Sequence, residues 1–307
     1  MKINKLGLLF TVTALVLFGC QNFNYEGKGK DVPTAGTIQI GFDSGDSLLV
    51  NQWIELFQFN YPKAHVVPKF ASQAQLLNWI KQDSIQAFVL HNELSKDKQD
   101  WICEKRNIKM RATILGYAAP VFIVSKNTKF SELSLIELLR IFSNSANLRD
   151  CKVAFDPNGI NILQINDTAQ KYISEKVNLN TNKTIHLSNS QQIIDYVSTH
   201  DNTIGVVSLN LIASKKDRLA MSNIKKVKVL SIGDIANNAY YLPFQSQIKA
   251  KQYPFVQPLI GYDFQGYSGL GNGFITYVRS QPGQIIVKKS GLIPAFDEGR
   301  TIEIIED

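Results

Sequence analysis

Two short loops in this 307-residue chain carry the residue types that hold a small anion. Phe42-Asp43-Ser44-Gly45-Asp46-Ser47 follows an alternating, β-branched run at 37–42, and Phe155-Asp156-Pro157-Asn158-Gly159-Ile160 follows a short apolar run at 153–155. Each loop leads into a helical pattern. Such a loop offers the unsatisfied backbone N–H groups of a helix N-terminus, where the helix dipole favours negative charge. Gly45 and Gly159 permit the tight turn, Ser47 adds a hydroxyl and Asn158 an amide. His91 closes an apolar run at 85–90 and belongs at the same sheet edge, as a donor to an anion across a cleft. Ser47 and Asn158 also read as plain helix caps in contact with water, and His91 as a surface histidine without a role. Asp46 reads most economically as the cap of the helix after it. A carboxylate beside a bound anion, whether Asp43 or Asp46, must cap backbone N–H groups or accept the anion's own proton; otherwise it repels the ligand.

Other chemistries lack their residues. No nucleophile elbow, P-loop or dinucleotide fingerprint is present. His65, His91, His186 and His200 stand far apart, without metal-ligand spacing. The cluster Tyr267-Ser268-Gly269-Leu270-Gly271-Asn272-Gly273 has no strand delivering it, so it reads as a turn and helix start rather than a phosphate cradle. Lysines and arginines number 33 against 26 acidic residues, a formal charge of +7, but they are dispersed, where a nucleic-acid binder concentrates them in a stripe. The mild excess favours an anionic ligand or surface. No cofactor, metal, catalytic centre or nucleic-acid partner is expected.

Cys20 supplies an address. Lys2 and Lys5 precede an apolar run at 6–18, too short to span a bilayer, and Leu17-Phe18-Gly19-Cys20 has the pattern of a lipoprotein processing site. The expectation is a signal peptide over 1–19, a lipidated Cys20, and a polar, glycine-containing tether over 20–36. The chain would then work in the cell envelope, facing the periplasm from either membrane, as a monomer. Cys103 and Cys151 would share that oxidising space, either paired or as free thiols.

The elements that position these loops alternate between strand and helix. Val50, Trp53, Ile54 and Phe57 share one helical face; strands are expected at 65–70 and 85–90. Ser72 with Gln75 and Ser134 with Glu137 form capping boxes. The apolar stretch 112–124 reads as a strand leaving the first domain. Further strands are expected at 153–155, 184–187, 204–208 and 227–232, with helices at 160–173 and around 193–197. The tail is helical over 272–290, with Pro282 placed for a helix start and Gly291 for a helix end. This rhythm predicts α/β layers with mostly parallel sheets, the chain passing between them near 116–122 and 230–242.

Several segments then resemble a known family. Tyr253-Pro254-Phe255-Val256-Gln257-Pro258-Leu259, Gly271-Asn272-Gly273-Phe274 with Gly283-Gln284-Ile285-Ile286, Lys289-Ser290-Gly291-Leu292-Ile293-Pro294, Ile204-Gly205-Val206-Val207-Ser208 and the helix at 133–142 occur in the order and spacing of periplasmic phosphate-binding proteins of phosphate ABC transporters, in their lipoprotein form. The resemblance runs over 37–296. It implies an α/β type-II periplasmic-binding-protein fold: two lobes joined by a double crossover, with a ligand held in the cleft between them. Lobe 1 would be discontinuous, 37–120 plus 236–307, and lobe 2 would be 121–235. By the same resemblance, ligand-binding positions fall on Gly45, Asp46, Ser47, His91, Asn158, Gly159, Ile160 and Asn161. The family's crossover acid falls near Ala118 or Ala119, and no arginine lies between Lys152 and Lys171, so much of the usual side-chain set is replaced.

The function this implies is capture of inorganic phosphate or a related oxyanion for an ABC permease, without chemistry on the ligand. The alternative is a lipoprotein of the same fold that has lost phosphate binding and serves a structural, signalling or protein-interaction role. Tyr240, Tyr241, Phe244 and Tyr253 would be its exposed partner surface; otherwise they pack the returning chain.

Overall fold

A computed structural model of the protein describes residues 31–71, 73–91, 93–142, 152–155, 184–187, 189–215, 217–233 and 239–296. Cys20, Asn158, Gly159, Ile160 and Asn161, with Cys151, Ser72 and the helix expected at 160–173, lie outside these residues.

The first half builds a parallel core. Strand β1 (Gly36–Asp43) runs through a turn into helix α1 (Ser47–Asn60), then β2 (Ala64–Ala71), α2 (Gln73–Lys81), β3 (Ala87–Leu90), α3 (Lys96–Arg106) and β4 (Arg111–Ala118). β1 pairs in parallel with both β2 and β3. β5 (Pro120–Ser125), β6 (Glu132–Ser134), α4 (Leu135–Phe142), β7 (Lys152–Phe155), β8 (Thr184–His186), α5 (Ser190–Thr199), β9 (Thr203–Ser208), α6 (Asn210–Ala213), α7 (Arg218–Lys226) and β10 (Val227–Val229) follow. The chain closes with β11 (Ser231–Gly233), β12 (Tyr240–Tyr241), α8 (Gln245–Lys249), β13 (Gln257–Asp263), α9 (Leu270–Arg279), α10 (Gln281–Lys289) and β14 (Ile293–Pro294). The result is a bilobed α/β architecture of type-II periplasmic-binding-protein form, with a six-stranded sheet in the order β14-β4-β13-β3-β1-β2 and a five-stranded sheet in the order β10-β5-β9-β7-β8.

Alternation along β3 shows how the first sheet is covered on both faces. Ala87 and Val89 join the cluster that holds α1, α9 and α10, while Phe88 and Leu90 join the one that holds α2 and α3. The helical face read from the sequence is the buried face of α1: Val50, Trp53, Ile54 and Phe57 all point inward. Phe57 meets Phe274 edge-on at 5.4 Å and Tyr277 at 5.2 Å, which ties α1 to α9. Such aromatic pairs add about 0.5–1.5 kcal/mol each beyond the area they bury. Trp53 Nε1 donates to the Gly283 carbonyl at 3.3 Å, which ties α1 to α10. The outer edge of β2 is blunted, because Val66 N–H donates to Gln58 Oε1 at 2.9 Å and Pro68 has no N–H to offer.

The apolar stretch expected as one crossing strand is two strands, β4 in the first sheet and β5 in the second, with only Ala119 between them. Tyr253 clamps this passage: its hydroxyl donates to the Pro120 carbonyl at 2.9 Å, and the ring is fully buried. Tyr253 therefore belongs to the core and not to a partner surface, whereas Phe244 and Tyr240 are exposed. The strand expected at 227–232 is also divided. β10 pairs with β5, Leu230 N–H turns to the Phe122 carbonyl at 2.8 Å, and β11 pairs with β6 in a separate three-stranded sheet. In the second sheet β5 and β9 are buried along their whole length. Gly205 is required there, since a Cβ would stand 2.8 Å from both Ile193 and Val197 of α5.

Other local readings hold. Ser134 and Glu137 form the reciprocal capping box, with Glu137 N–H donating to Ser134 Oγ at 3.1 Å and Ser134 N–H to Glu137 Oε2 at 2.9 Å. Pro282 lies in the first turn of α10, and Gly291 takes a φ of +85° just beyond it. The glycine cluster starts α9, and its would-be anion position is filled internally. Asp31 accepts from Leu270 N–H and from the Tyr267 hydroxyl, and from Gln265 Nε2 at 3.1 Å.

Candidate functional site

The carboxyl ends of β1 and β3 are neighbours, because the two strands run in parallel with Phe42 opposite Val89. That register places the loop after Asp43 beside His91, the residue after β3. Asp43 Oδ1 accepts from Gly45 N–H at 3.0 Å and closes a 3-10 turn over Ser44–Asp46. The Gly45 amide is thereby turned to the protein's own carboxylate. Ser47, half-buried, is the first residue of α1.

Asp46 holds the N-cap position of α1 but makes no side-chain cap, which corrects its reading as a helix cap. Its carboxylate has two other partners. Oδ2 lies 2.7 Å from His91 Nε2, as an ion pair rather than a well-aligned hydrogen bond. Oδ1 accepts from Asn210 Nδ2 at 3.3 Å. Asn210 is the first residue of α6, which follows β9 of the second sheet, so this bond joins the two lobes. Ser208, the last residue of β9, and Ser190, the first of α5, come to the same place: a Cβ on Gly45 would be 3.4 Å from Ser208 Cβ and 3.6 Å from Ser190 Oγ.

The carboxyl ends of strands from both sheets thus converge on one polar cluster, the position where open α/β sheets bind ligands. It is dry. Asp46 is 1% exposed, His91 4%, and Ser208 and Asn210 0%. Five of its atoms have no hydrogen-bond partner among the described residues: Asp46 Oδ2 and His91 Nε2, which face each other as the ion pair, and His91 Nδ1, Ser208 Oγ and Asn210 Oδ1, which face no charge partner. Native proteins pair nearly all buried polar atoms, so a group of orphans gathered at one point makes this cluster the candidate site. His91 is held protonated. Burial works against its charge, but Asp46 beside it, with Asp43 behind, more than offsets this and raises its pKa from 6.5 to about 9. Among the described residues no group of three or more His, Cys, Asp or Glu side chains is placed to hold a metal ion.

Of the residues expected at a site, the structure brings Gly45, Asp46 and His91 together, with Ser47 at the start of the adjoining helix. Ser190, Ser208 and Asn210 were not singled out by sequence. Ser208 carries the signal that marked His91, a polar residue at the end of an apolar run, here 204–207; Ser190 and Asn210 open helices and carry no such signal.

The family model of the PBP superfamily domain matches residues 30–282. The chain belongs to the periplasmic-binding-protein superfamily. Among solved structures, this PBP chain is similar to a candidate phosphate ABC transporter substrate-binding protein from Clostridium perfringens with bound phosphate, at 16% identity and a TM-score of 0.66, covering 85% of this chain and 100% of that one. It is similar to an ABC-type phosphate transport receptor from Vibrio cholerae at 11% identity and a TM-score of 0.59, covering 84% and 100%. A candidate phosphate-binding protein from Planctomyces limnophilus follows at 15% identity and a TM-score of 0.54, covering 85% and 93%. At these identities the likeness establishes the PBP fold. No curated protein sequence matches the chain. Substrate-binding proteins of the PBP fold bind without catalysing. Among the described residues no helix is long and apolar enough to cross a membrane.

Proposed function

We propose that the chain is a solute-binding protein that captures phosphate or a related oxyanion between its lobes and presents it to an ABC permease. The observation that carries this reading is the buried cluster whose donors His91 Nδ1 and Ser208 Oγ have no partner among the described residues, beside the N-terminus of α1. A protonated histidine and a helix N-terminus both favour an anion, and in a buried site they act with little screening. The two carboxylates are occupied, Asp43 by Gly45 and Asp46 by His91 and Asn210. A hydrogen-bearing oxyanion also has a proton to share with them. Ser47 and the loop holding Asn158, Gly159, Ile160 and Asn161 would complete the shell, and an acylated Cys20 would keep the protein at the membrane. The phosphate-binding descriptions of the C. perfringens and V. cholerae proteins favour this ligand class.

A second reading is a PBP scaffold that no longer carries a solute. The direct Asp46–Asn210 bond favours it, since the protein's own side chains draw the lobes together. Calorimetric titration with orthophosphate, sulfate and an organic phosphate separates the two. Saturable single-site heat with an oxyanion supports capture; no heat and no thermal shift with any of them supports the second reading.

A further inference from the structure

We propose that Asp46 is the positioning residue of this site and His91 its fixed cation: Asp46 holds the imidazole by Nε2 with one oxygen and Asn210 of the other lobe with the second, leaving His91 Nδ1–H to meet the anion. This rests on the oxyanion reading above and names the group that would do the recognising.

The geometry argues for a division of labour. A neutral imidazole has one donor and one acceptor; only the charged ring donates from both nitrogens. Nε2 faces a carboxylate at 2.7 Å, so that nitrogen carries a proton. Nδ1, equally buried, has no partner among the described residues. A charged ring gives Nδ1 a proton as well, and a buried N–H without an acceptor is costly unless an oxygen, such as that of an anion, accepts from it. The charged groups acting on the ring are Asp46, in the loop after β1, and Asp43, at the end of β1; among the described residues the second lobe brings the neutral Ser190, Ser208 and Asn210 to the cluster. Both carboxylates favour the charged ring, and burial opposes it.

Asp46 also couples capture to closure. Its Oδ1 reaches Asn210 Nδ2 across the lobes while Oδ2 reaches His91 within its own lobe. Loss of the Asp46 side chain would therefore remove the lobe contact and the charge on the donor together, whereas Asp46→Asn keeps an oxygen to accept from Asn210 and removes the negative charge alone. A helix cap at the same position would do neither, and Asp46 makes no cap.

The test compares wild type with Asp46→Asn, using orthophosphate titration calorimetry from pH 5.5 to 8 and imidazole NMR of the ligand-free proteins. Ionisation of phosphate itself is common to both proteins and cancels in the ratio of affinities. With the carboxylate gone, His91 titrates at or below its ordinary value. The affinity ratio is then expected within about twofold at pH 5.5 and about thirtyfold or more at pH 8. The His91 resonance should titrate above pH 8 in wild type and at least about two units lower in the variant. A merely structural Asp46 would give a ratio that does not change with pH, or a wild-type His91 that titrates near neutrality, and either result overturns the inference. Should Asp46→Asn fail to fold, His91→Gln serves: it should lose about tenfold or more in affinity at pH 7. Its undiminished affinity at that pH would overturn the inference as well. Absence of heat in wild type with orthophosphate and sulfate alike would bring down the oxyanion reading, and with it the role of Nδ1. Normal wild-type heat with a pH-independent ratio removes the positioning role alone.

Discussion

The stability of the protein should fall as pH rises from 6 to 10, and His91 sets the size of the fall. Its folded-state pKa of about 9 lies above the value of 6.5 that it takes when exposed. The folded state therefore holds a proton that the unfolded chain releases. Stabilisation from the pair is complete below about pH 6.5, declines through the interval to about 9, and is absent above it. Each pKa unit is worth about 1.4 kcal/mol, so the whole interval amounts to roughly 3 kcal/mol. That is a large share of the 5–15 kcal/mol typical of folded proteins, roughly speaking. Urea unfolding of wild type and His91→Gln at several pH values measures it, because subtracting the variant cancels the titrations that are not coupled to His91. The difference between the two proteins should shrink by about 3 kcal/mol from pH 6 to pH 10. A difference that stays flat, or grows with pH, would refute the raised pKa and with it the ion pair.

Two further outcomes follow from buried contacts. Tyr253→Phe removes the hydroxyl that serves the Pro120 carbonyl at the passage between the sheets, and should cost about 1–3 kcal/mol in urea unfolding; a loss within a few tenths, roughly, would show the carbonyl finds another donor. Asn210→Ala deletes the bond from lobe to lobe, so the ligand-free protein should show a larger radius of gyration by small-angle scattering, and unchanged scattering would show that other contacts hold the lobes together.

What the sequence made legible was mostly local. The buried face of α1 followed from helical spacing, and the capping box at Ser134 and Glu137 from two residue types three positions apart. Elements shared between sheets were harder. The apolar runs at 112–124 and 227–232 each read as one strand because hydrophobicity does not record a change of partner; Ala119 and Leu230 mark where the partner changes. The site was half visible. His91 showed itself as the residue closing a strand and Gly45 as the turn of a loop, but Asp46 carried every local sign of an N-cap. What diverts its carboxylate is Asn210, 164 positions away, and His91 on a neighbouring strand. Ser208 was read only as the end of a strand, since its partner across the cleft is a matter of how two lobes meet.

The most direct test of an anion held between the lobes is a crystal of the protein grown with arsenate, which mimics phosphate and scatters anomalously. The account predicts one strong arsenic peak within hydrogen-bonding reach of both His91 Nδ1 and Ser208 Oγ, next to the first turn of α1. An anomalous map without a peak there, from crystals in which Asp46 still binds Asn210 across the cleft, would contradict it.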